Sequence, residues 1–197
     1  MNNIQIHMPS GAKPYGGFWR RVVAAIIDWI ILMIPIWLVA MMAGFSILSL
    51  ATMDPEMMAE DPEAAMAMFS EMFLLMGAVS AAVYLLYKVG FEASGLQATP
   101  GKMAMSLRVT DREGEQLSIV ATVLRAWPWW APSAFLALDG LLGTMGMMSN
   151  GIGLAALVSW LIVAFTAQKQ GVHDMMAGAL VVKKGAQFEA AGAGAPA

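Results

Sequence analysis

One long apolar stretch constrains the fold of this chain more than any other feature. From residue 22 to residue 50 every position is apolar or glycine, except for Asp28, one proline and two serines. The stretch exceeds the ~20 residues that a helix needs to cross a bilayer core. Charged residues make up 13% of the chain, against about 25% in ordinary soluble domains. The sequence therefore predicts an integral membrane protein.

The apolar segments predict an all-α membrane protein with four transmembrane helices. The predicted spans cover residues 22–50, 72–90, 126–148 and 151–168. Two layouts are open for the third helix: one long bent helix from near Ser118, or an interfacial helix followed by a span from about Ala126. Tryptophans are enriched at membrane–water interfaces, and those that follow Ala126 favour the second layout.

The segment between the second and third spans, residues 91–117, has a different pattern. Met105, Leu107 and Val109 alternate with polar residues, as in a half-buried strand. The segment therefore predicts a small β-hairpin or paired extended segments on the cytoplasmic side. Residues 107–109 are also expected to pair with residues 180–182 as a small sheet.

The positions of the basic residues predict the topology. All 11 Lys and Arg residues precede the first span, lie at the end of the second or after it, lie near the foot of the third or follow the fourth. The positive-inside rule then places both termini and residues 91–117 in the cytoplasm of a multi-pass protein of the inner membrane. Residues 51–71 are acidic and form the predicted outer loop, and residues 1–14 are a loose lead-in. Residues 1–184 are one membrane domain, followed by a disordered tail at 185–197.

Charged groups inside the predicted spans are candidate functional residues. Asp28 lies about 10 Å into the first span, at ~1.5 Å per residue from Arg21. An intramembrane carboxylate is costly unless it is paired or protonated. We predict an interhelical pair between Asp28 and Arg125, with Arg21 as the alternative or second partner. Asp28 is then either a proton or cation site or part of a permanent ion pair, and Asp139 is a candidate second carboxylate.

Three motifs in order resemble the RDD family of small membrane proteins. They are GFWRRVVAAIID, then SGLQATPGKMAMSLRV, then GVHDMMAGALVVKK, and the resemblance covers residues 18–184. It implies that Arg21, Asp28 and Asp174 are the arginine and two aspartates for which the family is named. Ala179 stands where the family often has threonine. The resemblance suggests transport, including cation/proton exchange for some members. The matched motif residues are Arg21, Asp28, Thr99, Pro100, Gly101, Lys102, His173 and Asp174.

The second and third motifs also allow simpler interpretations. The run from Thr99 to Lys102 lacks the spacing of a phosphate-binding loop, so we expect a surface turn with Lys102 facing anionic headgroups. Asp174 is expected to cap the short helix that follows it. Two histidines and no cysteine predict no metal site and no cofactor.

Four glycines lie near the end of the third predicted span and at the start of the fourth. They are Gly143, Gly146, Gly151 and Gly153. Small residues let membrane helices approach closely. These glycines are therefore predicted to permit close helix packing.

Two functional classes follow from these features. As a transporter, the protein would move a proton or small cation past Asp28, as an oligomer because four short helices enclose little volume. As a non-catalytic accessory subunit, it would assemble or stabilise a larger membrane complex. The chain has no recognisable nucleophile–base pair, so we do not expect an enzyme. The expected partners are the lipid bilayer and copies of itself or other membrane subunits, with no nucleic acid.

Overall fold

The long apolar stretch is helical wherever the structure describes it. The computed structural model describes residues 4–42 and 59–190. Helix α1, Phe18–Met42, has 25 residues, which is about 37 Å at ~1.5 Å per residue and enough to cross a bilayer. The end of the predicted first span, part of the acidic loop and residues 191–197 of the predicted tail lie outside the described residues.

The second long helix begins earlier than the sequence predicts. Helix α2, Pro62–Glu92, has 31 residues and begins within the predicted acidic loop. Asp61 explains the early start, because its carboxylate accepts a hydrogen bond from the backbone N–H of Ala64 at 3.0 Å. Pro62 suits the first turn of a helix. Within the described residues, α1 and α2 are the two helices long and apolar enough to cross a membrane.

Five shorter helices follow. Helix α3 is Pro100–Ala104, α4 is Ile119–Arg125, α5 is Trp127–Leu142, α6 is Met147–Ile162 and α7 is Val172–Met176. The break at Ala126 matches the second of the two predicted layouts for the third helix. Helices α5 and α6 have 16 residues each, or about 24 Å. They are shorter than the ~20 residues of a typical span.

The predicted pairing of two distant segments is confirmed. Strand β2, Leu107–Thr110, pairs antiparallel with β3, Leu180–Lys183, with Val109 opposite Val181. Leu107, Val109 and Val181 belong to one buried cluster, and Leu180 and Val182 belong to another. The alternative of a local hairpin within residues 91–117 is wrong, because β2 pairs with β3 instead.

The lead-in and the start of the predicted tail are ordered. Strand β1, Ile4–His7, pairs antiparallel with β4, Gln187–Ala190. Ile6 and Phe188 pack against the cluster formed by Leu180, Val182 and Ala186. The predictions of a loose lead-in and of disorder at residues 185–190 are therefore wrong, because apolar residues in both segments pack against this core.

The described residues form two compact units. The first, which we call the charged unit, takes its residues from Met1–Trp29, Tyr87–Ala126 and Val158–Ala197. The second, which we call the helical unit, takes its residues from Ile30–Leu86 and Trp127–Leu157.

Two glycines explain how α2 and α5 pack in the helical unit. A Cβ at Gly77 would lie 2.3 Å from the backbone nitrogen of Ala137, and one at Gly140 would lie 2.3 Å from the carbonyl oxygen of Ser70. The predicted packing role of the later glycines is wrong for three of the four. A Cβ at Gly143, Gly151 or Gly153 would meet no described atom of a neighbouring element within 4 Å.

Candidate functional site: a buried charge network

Seven charged side chains are buried in the charged unit. Charged residues are almost never buried unless they are paired, yet each of these is at most 9% exposed. We call this set the buried charge network: Arg21, Asp28, Lys88, Glu92, Lys102, Arg125 and Asp174.

The two long helices each contribute two members of the network. Arg21 and Asp28 are seven residues apart on α1, and Lys88 and Glu92 are four residues apart on α2. Both spacings place the pair on one helix face. The remaining three members come from α3, from the last turn of α4 and from the first turn of α7. Five helices therefore contribute to one network.

Both oxygens of the Asp28 carboxylate are fully hydrogen-bonded. Oδ1 accepts from the Tyr87 hydroxyl and from the Gly101 backbone N–H, each at 2.8 Å. Oδ2 accepts from Lys88 Nζ at 2.8 Å and from the Thr99 hydroxyl at 2.7 Å. These four donors match the roughly four lone-pair sites of a carboxylate. Gly101 permits the close approach, because a Cβ there would lie 2.7 Å from Asp28 Oδ1.

The predicted Asp28–Arg125 pair is wrong, and so is the Arg21 alternative. Lys88 provides the cation for Asp28, and both arginines bind other carboxylates. Neither Lys88 nor Glu92 is among the candidate residues that the sequence predicts for this site. The available signal was their spacing, since a lysine and a glutamate four residues apart put opposite charges on one face of an otherwise apolar helix.

The other five members form a continuous chain of ion pairs. The Glu92 carboxylate accepts from Lys102 Nζ and from Arg125 Nη1. The Asp174 carboxylate accepts from Arg125 Nε at 2.8 Å and from Arg21 Nη1 at 2.5 Å. The guanidinium of Arg125 thus bridges the two carboxylates. The chain links the start of α1 to the end of α2 through the short helices.

Two members outside the long helices have strongly shifted pKa values. Burial alone would raise the pKa of Asp174, but Arg21 and Arg125 hold it well below its ordinary value. Burial and the neighbouring charge of Arg125 lower the pKa of Lys102 to about 7, although Glu92 raises it. The network contains four cations and three carboxylates, so its net charge is +1 when all are ionised. A pKa of about 7 would let Lys102 release a proton near neutral pH.

The motif from Thr99 to Lys102 is part of the network. Thr99 and Gly101 donate to Asp28, and the proline between them occupies the first turn of α3, which suits a residue with no N–H. Lys102 is directed inward to Glu92. The expected exposure of Lys102 to lipid headgroups is therefore wrong, because the glutamate of α2 binds its ammonium group.

Asp174 caps a helix, but that helix contains Asp174 and does not follow it as the sequence predicts. Its Oδ2 accepts from the backbone N–H of Gly171, the N-cap of α7, at 3.1 Å. The same carboxylate binds Arg21 and Arg125. The cap orients the carboxylate, and the two guanidinium groups neutralise it.

Ser159 and His173 form a buried contact that the sequence does not predict. The hydroxyl of Ser159 lies 2.8 Å from His173 Nδ1 and accepts from the His173 backbone N–H at 3.1 Å. His173 Nε2 is 3.5 Å from Asp174 Oδ1. The residue types are those of a hydrolase triad, but Ser159 is only 2% exposed and Asp174 already binds two arginines. Burial lowers the pKa of His173 to about 4, although Asp174 raises it, so the imidazole is neutral at pH 7.

Asp139 lies in the helical unit and caps a helix. Its Oδ1 accepts from the Thr144 hydroxyl and from the Met148 backbone N–H, the latter at 3.0 Å. Its Oδ2 accepts from the Ser149 backbone N–H at 2.8 Å. Met148 and Ser149 are in the first turn of α6, where backbone N–H groups lack helical partners. In the part of the chain that the structure describes, every hydrogen bond to the Asp139 carboxylate is local, and none comes from the network.

Comparison with known proteins assigns a family to these motifs. A family model described as "RDD family" matches residues 15–178, a range that contains all seven members of the buried charge network. The uncharacterized protein YxaI of Bacillus subtilis (strain 168) is 26% identical over 172 residues, which cover 87% of this chain and 99% of that protein. No solved structure matches the chain.

Proposed function

The chain belongs to the RDD family of membrane proteins, and from this premise we propose that it is a non-catalytic accessory subunit that assembles or stabilises a larger membrane complex. We further propose that α1, α2, α5 and α6 cross the inner membrane and that both termini are cytoplasmic. The distribution of the 11 basic residues supports this topology. The burial of Ser159 supports a role without catalysis.

The coordination of Asp28 is the observation that carries this proposal. Its carboxylate is 1% exposed and accepts four hydrogen bonds, one of them from a lysine. A transported cation would have to displace Lys88 and break at least one further bond. Removing one partner of a buried ion pair typically lowers stability by roughly 3–5 kcal/mol. This arrangement favours a permanent structural pair over an ion-exchange site.

Exposed apolar residues on the short helices support a partner-binding role. Ile119 and Val120 of α4 are 66% and 70% exposed, and Met176 of the neighbouring α7 is 55% exposed. Arg125 points from the same short helix α4 into the network. The inner face of α4 is therefore anchored by charge, and its outer face can contact a membrane subunit or lipid.

Transport of a proton or small cation past Asp28 is the second candidate function. The net charge of the network and the lowered pKa of Lys102 favour it. Loss of the proton from Lys102 would leave the network neutral and would weaken its hold on Glu92. A proton-linked rearrangement could begin there and reach Asp28 through Lys88.

One preparation can distinguish the two candidates. The full chain is purified in mild detergent, its co-purifying proteins and stoichiometry are determined, and it is reconstituted into liposomes for proton and sodium flux. We expect a stoichiometric membrane partner, or a defined homo-oligomer, and no flux. Flux from a partner-free preparation that Asp28→Asn abolishes would overturn the accessory role.

A matched control separates loss of an ion site from loss of folding. Asp139→Asn changes another buried carboxylate in the same way but in the helical unit. Each variant is first checked for a monodisperse elution profile. Flux that survives in Asp139→Asn but not in equally monodisperse Asp28→Asn would establish transport at Asp28.

The absence of cysteine from the chain makes single-cysteine labelling a direct test of topology. Glu60→Cys and Met147→Cys report on the proposed outer side, and Glu113→Cys and Lys184→Cys report on the cytoplasmic side. All four positions are exposed. Labelling of intact cells by a membrane-impermeant maleimide should occur at the first two positions only. Labelling at Glu60→Cys but not at Met147→Cys would contradict the four-span topology.

A further inference from the structure

A basic groove lies beside the start of α1, outside the buried charge network. It has a volume of about 670 Å³. Four cationic residues line it, Lys13, Arg20, Lys169 and Lys183, and its lining includes no Asp or Glu. Within residues 4–42 and 59–190, none of the four forms an ion pair. The groove therefore concentrates positive charge that no described carboxylate neutralises.

Backbone contacts fix the main chain of two of these lysines, and the ammonium group of Lys169 donates to the Ala164 carbonyl at 2.8 Å. The carbonyl oxygen of Lys169 accepts from Arg21 Nη2 of the buried charge network. The backbone N–H of Lys183 donates to the carbonyl of Pro14 at 2.8 Å. The walls of the groove are thus held by the network and by the end of β3. A pre-formed wall lowers the ordering cost of binding a ligand.

Exposed aromatic side chains line the same groove. Trp19, near the start of α1, is 76% exposed, and Phe165, shortly after the end of α6, is 86% exposed. Aromatic residues concentrate at the level of the lipid headgroups, where basic residues also meet anionic lipid. Trp19 lies at the foot of a helix that is long and apolar enough to cross the membrane.

We propose that this groove binds the headgroup of an anionic phospholipid of the same leaflet, with Lys13, Arg20, Lys169 and Lys183 around the phosphate. Two observations argue for a lipid. Charge complementarity requires an anion, and the two exposed aromatic rings provide an apolar rim for the acyl chains. The inference requires only that α1 crosses the membrane, and it holds whether the protein assembles a complex or transports an ion.

The test measures lipid binding to the purified full chain in neutral detergent. Phosphatidylglycerol, zwitterionic phosphatidylcholine and soluble glycerol phosphate are titrated separately, and bound molecules are counted by native mass spectrometry. We expect saturable binding of phosphatidylglycerol at a ratio of one per chain, with much weaker binding of the other two. Equal binding of phosphatidylcholine, or saturation by glycerol phosphate at the same concentration, would overturn the proposal.

Two double variants of equal charge assign the binding to the groove. Lys13→Gln with Lys183→Gln removes two cations of the groove, and Arg112→Gln with Lys184→Gln removes two exposed cations that do not line it. We expect the first pair to weaken phosphatidylglycerol binding about 25-fold, at about fivefold per lysine, and the second to change it less than about twofold. Equal weakening by both pairs would indicate general surface attraction and would contradict the site. The unfolding midpoints of both double variants, measured without lipid, are compared with that of the parent to check that both are folded.

Discussion

The charged unit and the helical unit hold their helices by different means. In the charged unit, three buried carboxylates bind four buried cations and tie five helices together. In the helical unit, α2 and α5 approach so closely at Gly77 and Gly140 that a Cβ there would lie 2.3 Å from a backbone atom. Its buried carboxylate, Asp139, accepts only local hydrogen bonds among the described residues.

The difference follows from what each unit must join. A bilayer provides no hydrophobic driving force between helices, so close backbone packing is an effective contact between two apolar helices. The short helices of the charged unit have five to seven residues each, too few for the extended backbone contact that α2 makes with α5. Ion pairs with several hydrogen bonds fix their positions instead, and each such pair is sensitive to loss of one partner. We therefore expect the two units to respond differently to matched substitutions.

The largest expected effect is that of Asp174→Asn. This change leaves Arg21 without a charged partner and leaves Arg125 with only one of its two carboxylates, Glu92, at buried positions. We expect a loss of about 3–5 kcal/mol in the free energy of unfolding, measured by denaturant titration in detergent. A loss below about 1 kcal/mol would show that the network does not stabilise the charged unit.

The next effect concerns pH and His173. The folded protein holds the pKa of His173 at about 4, against about 6.5 in the unfolded chain. Between these values the unfolded chain binds a proton that the folded chain does not, so acidification destabilises the fold. We expect a loss of roughly 3 kcal/mol between pH 6.5 and pH 4, measured from the unfolding free energy at each pH.

His173→Asn provides the control, because asparagine does not titrate and its amide can still reach the Ser159 hydroxyl. Stability of this variant should change less between pH 6.5 and pH 4 than that of the parent. An unchanged slope would mean that another group causes the acid sensitivity. Protonation of Asp174 destabilises the fold only at lower pH, because the pKa of Asp174 is depressed from an already acidic value.

A third prediction tests the backbone contacts of the helical unit. Gly140→Ala places a methyl group 2.3 Å from the Ser70 carbonyl oxygen and 2.4 Å from the Leu74 backbone nitrogen. We expect a cost of about 1–3 kcal/mol from overpacking. Gly151→Ala, in the interior of α6, meets no described atom of a neighbouring element within 4 Å and should stabilise by about 0.5–1 kcal/mol. The unfolding midpoints of the two variants are measured together. Equal effects of Gly140→Ala and Gly151→Ala would contradict the close backbone contact at Gly140.

The sequence predicts the parts of this molecule that depend on local pattern. The apolar stretch predicts α1, and the alternation at Leu107 and Val109 predicts the pairing of β2 with β3. Partner choice within the network could not be predicted, because Asp28 has several basic residues available at a similar depth. Only the packing of α3 against α1 brings Thr99 and Gly101 to Asp28. The glycines that permit close packing could not be predicted for the same reason, because the sequence does not show which face of a helix meets another backbone.

The smallest expected effect is that of Asp139→Asn, the same chemical change as Asp174→Asn but in the other unit. The asparagine oxygen can keep the bonds from Thr144 and Met148, and only the bond from the Ser149 N–H is lost. Asparagine is also a good helix cap, so we expect a cost of about 1 kcal/mol, measured by the same denaturant titration. A cost as large as that of Asp174→Asn would mean that Asp139 interacts with a charge beyond its local cap. Such a result would restore the coupled role that the sequence alone suggests for this carboxylate.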